Sequence, residues 1–127
     1  MADYTPVFTG DSLPFTSTAS ATITGGQLLA VTGTGTVGPA GAASGAVVGV
    51  AAHDAANGAQ ITVWPLPGVV HETTTPTGVT AGNALASAAA GTVDPGTLAT
   101  LAAAGTLIGV ALTTATAGNK CQWTYRG

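Results

Sequence analysis

Apolar residues in this chain come in short runs broken by Gly, Thr and Pro, and two of the runs match. They are Ala46-Val47-Val48-Gly49-Val50-Ala51 and Thr106-Leu107-Ile108-Gly109-Val110-Ala111. β-Branched and aliphatic residues around one central glycine predict a buried strand with a close backbone neighbour. The companions of each run match too. Ile23-Thr24-Gly25-Gly26-Gln27 answers to Val79-Thr80-Ala81-Gly82-Asn83, and Gly35-Thr36-Val37-Gly38-Pro39 to Gly91-Thr92-Val93-Asp94-Pro95. Asn57-Gly58-Ala59-Gln60-Ile61 answers to Ala117-Gly118-Asn119-Lys120-Cys121. The offset is 56 for the early landmarks (79 against 23) and 60 for the later ones (109 against 49), so one insertion separates Pro95 from Leu107. The chain reads as two copies of one β module, about 14–67 and 69–126, in a single β domain over 14–127.

Within module one the pattern predicts strands over Phe15–Ile23, Gln27–Thr32, Thr36–Val37, the Gly49 run and Gln60–Trp64. In the last, Ile61 and Val63 share a face, and Pro65 and Pro67 end it. Module two begins with a strand over Val69–Thr73 and continues with Ala84–Ala88, Gly91–Val93 and the Gly109 run. It closes with Lys120–Arg126, where Cys121, Trp123 and Tyr125 face one way. The insertion, Thr97–Ala104, is the single plausible helical turn, by its Ala and Leu content. Short strands with Gly-rich turns indicate an all-β fold, a small barrel or sandwich. Residues 1–13 lie outside the repeat and read as an extended arm. It either packs on the chain's own sheet or reaches a partner's sheet edge.

Composition adds a reason to expect assembly. Of 127 residues 46% are hydrophobic, but only 5% are aromatic, and Ala, Gly, Thr and Val dominate. Burial of one methyl contributes about 0.8 kcal/mol, against roughly 1.5–3 for a Leu or Phe, while ordering a residue costs on the order of 1–2 kcal/mol. So light a module gains from burial against other protein. Two basic residues and a net charge of −3 leave little to neutralise phosphates, so no nucleic-acid partner is expected. The first residues have neither the basic nor the apolar run of a secretory leader, and the Thr-studded stretch Pro95–Asn119 does not suit a membrane span.

Candidate chemistry is sparse. Gly33-Thr34-Gly35-Thr36-Val37-Gly38 has dinucleotide-site spacing but no helix to follow it. No phosphate loop GxxxxGK[ST] and no Gly-x-Ser-x-Gly elbow occur. His71-Glu72 lacks a second histidine at zinc-protease spacing, and both His53 and His71 are expected at a surface or interface. Cys121, the single cysteine, excludes an internal disulfide and is expected to be buried. No enzyme, cofactor or metal site is expected.

The acidic start with Tyr4-Thr5-Pro6, the turn Ile23-Thr24-Gly25-Gly26-Gln27, Thr36-Val37-Gly38-Pro39, Val47–His53 and Ile108-Gly109-Val110-Ala111 resemble small tailed-phage head proteins. These are the capsid decoration or cement proteins, sometimes mislabelled as recombinases, a label this chain's missing phosphate loop does not fit. The resemblance implies a β-rich fold, commonly a homotrimer, bound to the major capsid protein on the virion exterior, with no catalytic residues. On that reading Tyr4, Val7, Phe8, Phe15 and Trp64 are the candidate contacts with the capsid or a second copy. Two alternatives stand beside it. One is another virion subunit, of the tail tube, head completion or fibre base. The other is a carbohydrate-binding adhesion module stacking sugars on Trp64 and Trp123.

Overall fold

The alternation in Gln60–Pro65 places Ile61 and Val63 in the core and makes this segment strand β5 of a computed structural model describing residues 3–126. Before it come β1 (Phe15–Ala19), β2 (Leu28–Gly33), β3 (Thr36–Pro39) and β4 (Val47–Ala51). After it come β6 (Val70–Thr74), β7 (Ala84–Ala88), β8 (Thr92–Gly96), helix α1 (Leu98–Ala104), β9 (Gly109–Ala111) and β10 (Lys120–Tyr125). The fold is all-β, and the expected helical turn is α1, stopped by Gly105 in the left-handed conformation.

Strands β1–β5 close a barrel in the order β1-β3-β2-β4-β5, with β1 pairing β5 on its other side. Strands β6–β10 repeat those neighbours as an open sheet, β6-β10-β9-β7-β8. One pair is missing: β1 and β3 run parallel and bonded, whereas β6 and β8 do not pair. One amide contributes to the difference, beside the Thr18 N–H donated to Gly35 O at 3.3 Å. Ser20 N–H donates to Val37 O at 2.9 Å just past β1. Thr18 pairs Gln60 as Thr74 pairs Lys120, and Ile23 bridges Ala55 as Val79 bridges Ala115. Residue 76 therefore corresponds to residue 20, and Pro76 has no N–H to donate.

The repeated glycines sit at equivalent places, in β4 and β9. Gly49 faces Leu29 and Pro65 across its two ladders, and Gly109 faces Leu85 and Tyr125. A Cβ on Gly49 would overlap the Trp64 carbonyl oxygen and come within 2.5 Å of Val63 Cγ1. One on Gly109 would overlap the Thr124 carbonyl oxygen and lie 2.6 Å from Trp123 Cε3. Neither strand has room for a side chain at its centre.

Two cores result. Ile23, Leu29, Val37, Ile61 and Val63 fill the barrel. Leu28, next to Leu29 but on the opposite face of β2, joins Val50 and Leu66 in a second core with Leu85, Val93, Ile108 and Trp123. The halves are thus fused through the outside of the barrel. Gly91, beside that seam, leaves no space for a Cβ against Gln27 Cβ and Leu28 O, at 2.7 and 2.9 Å.

Candidate interaction surface

The first described residues form a strap along the edge of β6. Tyr4 N–H donates to Ala52 O at 2.8 Å, Val7 N–H to Val70 O at 2.9 Å, and Val70 N–H to Phe8 O at 2.8 Å. Pro6, buried between these bonds, keeps the segment extended. The strap then turns at Gly10, whose φ is +56°, and Ser12 Oγ donates to Pro67 O at 3.1 Å. The arm from Asp3 to Leu13 therefore lies on its own chain rather than standing free; Met1 and Ala2, also part of the expected arm, fall outside the described residues.

Its anchor is a buried aromatic stack. Tyr4 Oη lies 2.7 Å from His71 Nδ1 and accepts the Glu72 N–H at 3.1 Å. His71 Nε2 lies 2.8 Å from Pro65 O. A carbonyl only accepts, so Nε2 carries the proton and Nδ1 accepts the Tyr4 hydroxyl. The imidazole lies at the hydroxyl end of the Tyr4 ring, the ring centres 5.9 Å apart and the planes within 21°, and is tilted by 35° against Trp123, 5.4 Å away. Burial lowers the His71 pKa from 6.5 to about 4, the bond to Pro65 O opposing it, and raises the Tyr4 phenol well above its usual value. Trp123 Nε1 completes the stack by donating to Thr73 Oγ1 at 2.9 Å.

This corrects the surface placement expected for His71, which is fully buried. The signal lay in β-sheet register: His71 and Thr73 alternate inward opposite Trp123 and Cys121. Thr73→Val should leave the buried indole N–H unpaired and lower stability by about 1–3 kcal/mol, read from the urea midpoint. His53 also has a structural role, with Nδ1 on Asp54 O at 2.8 Å and Nε2 accepting the Thr62 N–H at 3.2 Å. Among the described residues no three His, Cys, Asp or Glu side chains gather as a metal site would need, and no helix is long and apolar enough to cross a membrane.

The outer side of the strap exposes large apolar side chains alongside Thr5 and Asp11. Val7 is 51% exposed, Phe8 60%, Leu13 81% and Phe15, which opens β1, 42%. Spread along residues 7–15, from the strap beside Val70 to the first residue of β1, they make up an exposed apolar ledge interrupted by Asp11. Tyr4, half-buried, is committed to His71, and Trp64 is half-buried in β5 opposite Val50. Of the five candidate contacts, Val7, Phe8 and Phe15 are the most exposed to solvent. Leu13, which the candidate contacts did not include, is more exposed than any of them. Trp123 is wholly enclosed and has no face for a sugar. Elsewhere a cleft of about 250 Å³ opens between the halves, lined by Val47, Leu66, Leu107, Ile108 and Tyr125 among others.

No curated protein matches the sequence. Among solved structures, the fold is similar to that of the N base of the head fibre gp8.5 in bacteriophage phi29, with a TM-score of 0.68 and 21% identity. That likeness covers 90% of this chain and 93% of the other. Residues 7–126, which include the ledge, both halves of the repeat and nearly all of the chain, match the family described as phage cement protein. A strapped double β module with an outward apolar ledge is thus the form that one member of a structural virion family takes: this chain belongs to the phage cement proteins.

Proposed function

We propose that this structural virion protein is a non-catalytic capsid cement, held on the outer surface of the head by its ledge. Val7, Phe8, Leu13 and Phe15 seat against the major capsid protein, and copies associate as trimers that tie neighbouring capsid subunits together. The observation that carries this is the pairing of exposed apolar side chains with a backbone already bonded in place. A ledge ordered before binding loses little entropy on docking. Burial of each large side chain contributes roughly 1.5–3 kcal/mol, and many copies tied to one lattice gain further from effective concentration. With so few charges, copies crowded on a shell repel one another weakly.

The test is co-sedimentation with heads stripped of this protein. Phe8→Ser combined with Leu13→Ser should weaken binding at least tenfold, and Leu98→Ser, on exposed α1, should leave it unchanged. Equal binding by the folded double variant and the wild type would remove the ledge from the contact. A second reading, the base of a head fibre, is favoured by the name of the solved structure above. It too requires attachment to the head, and it differs in predicting that a further fibre element is carried on this domain.

A further inference from the structure

We propose that neutral His71 is a proton-sensitive clasp for the N-terminal strap, and that acid releases residues 4–9 from the edge of β6 while the barrel stays folded. In the neutral clasp every polar group is matched: Nε2–H with Pro65 O, Nδ1 with the Tyr4 O–H, and Tyr4 Oη with the Glu72 N–H. A charged imidazole has two donors and no acceptor. Its new Nδ1–H would meet an oxygen that already accepts one amide, and the Tyr4 O–H would lose its acceptor. The cation would also sit out of water, with the tilted Trp123 ring, 5.4 Å away, offsetting only part of the cost.

The groups around His71 supply no counter-charge in direct contact. From the strap there is Tyr4; from β6, Glu72, whose next-door carboxylate acts on Tyr4 and Cys121 through space; from β10, the buried Cys121 thiol; from β5, only the Pro65 carbonyl. Lys120 is exposed at the far end of β10, opposite Thr74. The low proton affinity of His71 agrees with this geometry.

Release is separable from unfolding for two reasons. Apart from the clasp, Tyr4 to Phe8 are held by backbone bonds to Ala52 and Val70, by buried Pro6 and by Tyr4 packing against the second core rather than the barrel core. The barrel core, formed by Ala, Ile, Leu and Val, contains no titratable side chain. Opening would turn Val7 and Phe8 away from their fixed places and free the Val70 backbone edge, so acid would alter the ledge directly. The clasp stands whether or not the ledge meets a capsid.

The experiment is an NMR pH titration of the full chain labelled with ¹⁵N. The His71 ring should report the Nε2–H tautomer at neutral pH. As the ring takes up its proton, the Val7, Phe8 and Val70 amide signals should move together toward exposed positions, with Val37, Ile61 and Val63 unchanged. Tyr4→Phe keeps the ring but removes the hydroxyl. It should loosen the strap already at pH 7 and make His71 at least tenfold easier to protonate. An Nδ1–H tautomer, a protonated His71 with unmoved strap signals, simultaneous loss of strap and barrel, or an unaltered His71 titration in Tyr4→Phe would each overturn the proposal.

Discussion

Gly109→Ala should cost about 3 kcal/mol or more of stability, and Gly49→Ala about as much. A new methyl at either site meets a carbonyl oxygen of the neighbouring strand, Thr124 or Trp64, together with the side chain of Trp123 or Val63. Overpacking in a dense core costs about 1–3 kcal/mol when side chains can adjust. Here the first atom struck belongs to a backbone held in a ladder, so the upper end applies. The strands would have to separate, and the β4–β5 or β9–β10 pairing would weaken with them. Gly41→Ala is the control, because nothing lies within 4 Å of a Cβ there and its φ is not positive. That change should be neutral or stabilise slightly, by up to about 1 kcal/mol. Thermal melts read both: a fall of roughly 10 °C for either strand glycine, and little change at position 41. Equal melting of all three variants would show that the close approach does not constrain the strands.

Stability should also fall as pH drops from about 6.5 toward 4. His71 binds its proton near 6.5 in an unfolded chain and only near 4 in the folded one. Between those values the unfolded state holds more protons, so acid favours it. The contribution is fully present above about 6.5 and is lost as pH falls through the window, with nothing further lost below about 4. Its ceiling is on the order of 3 kcal/mol, reached only if the strap stays closed, since an opened strap lets water reach the ring. Urea titrations at pH 7 and pH 4.5 measure the difference. A midpoint that does not change between them would mean that His71 is hydrated or already charged.

Much of the architecture was legible because it is local or repeated. The two Gly-centred runs are β4 and β9, Ala84–Ala88 is β7 as expected, and the Ala/Leu insertion is α1. The alternation of Ile61 with Val63 and of Cys121 with Trp123 marks the buried faces correctly. Tyr125 follows the same alternation yet is exposed, because it is the last residue of β10 and lies at the end of the sheet. What escaped depends on register between distant segments. The second sheet, which stays open, lacks an amide at Pro76 that the first half uses at Ser20, a difference that shows only once residue 76 is aligned with residue 20. The burial of His71 depends on Tyr4, 67 positions away. The arm's direction could not be read for the same reason: its backbone partners, Ala52 and Val70, lie in different halves of the repeat. The ledge itself was half visible, since Val7, Phe8 and Phe15 are bulky groups outside or at the start of the repeat. Its union with Leu13 appears only when the strap is seen bonded down, because exposure is a property of the packed segment.

Electron cryo-microscopy of native heads is the most direct measurement of where this protein works. The account predicts its density on the outer shell, with residues 7–15 pressed against major capsid subunits and the strap's solvent face gone. Density confined to the tail or the head interior, or an outer copy whose ledge points to solvent, would contradict it.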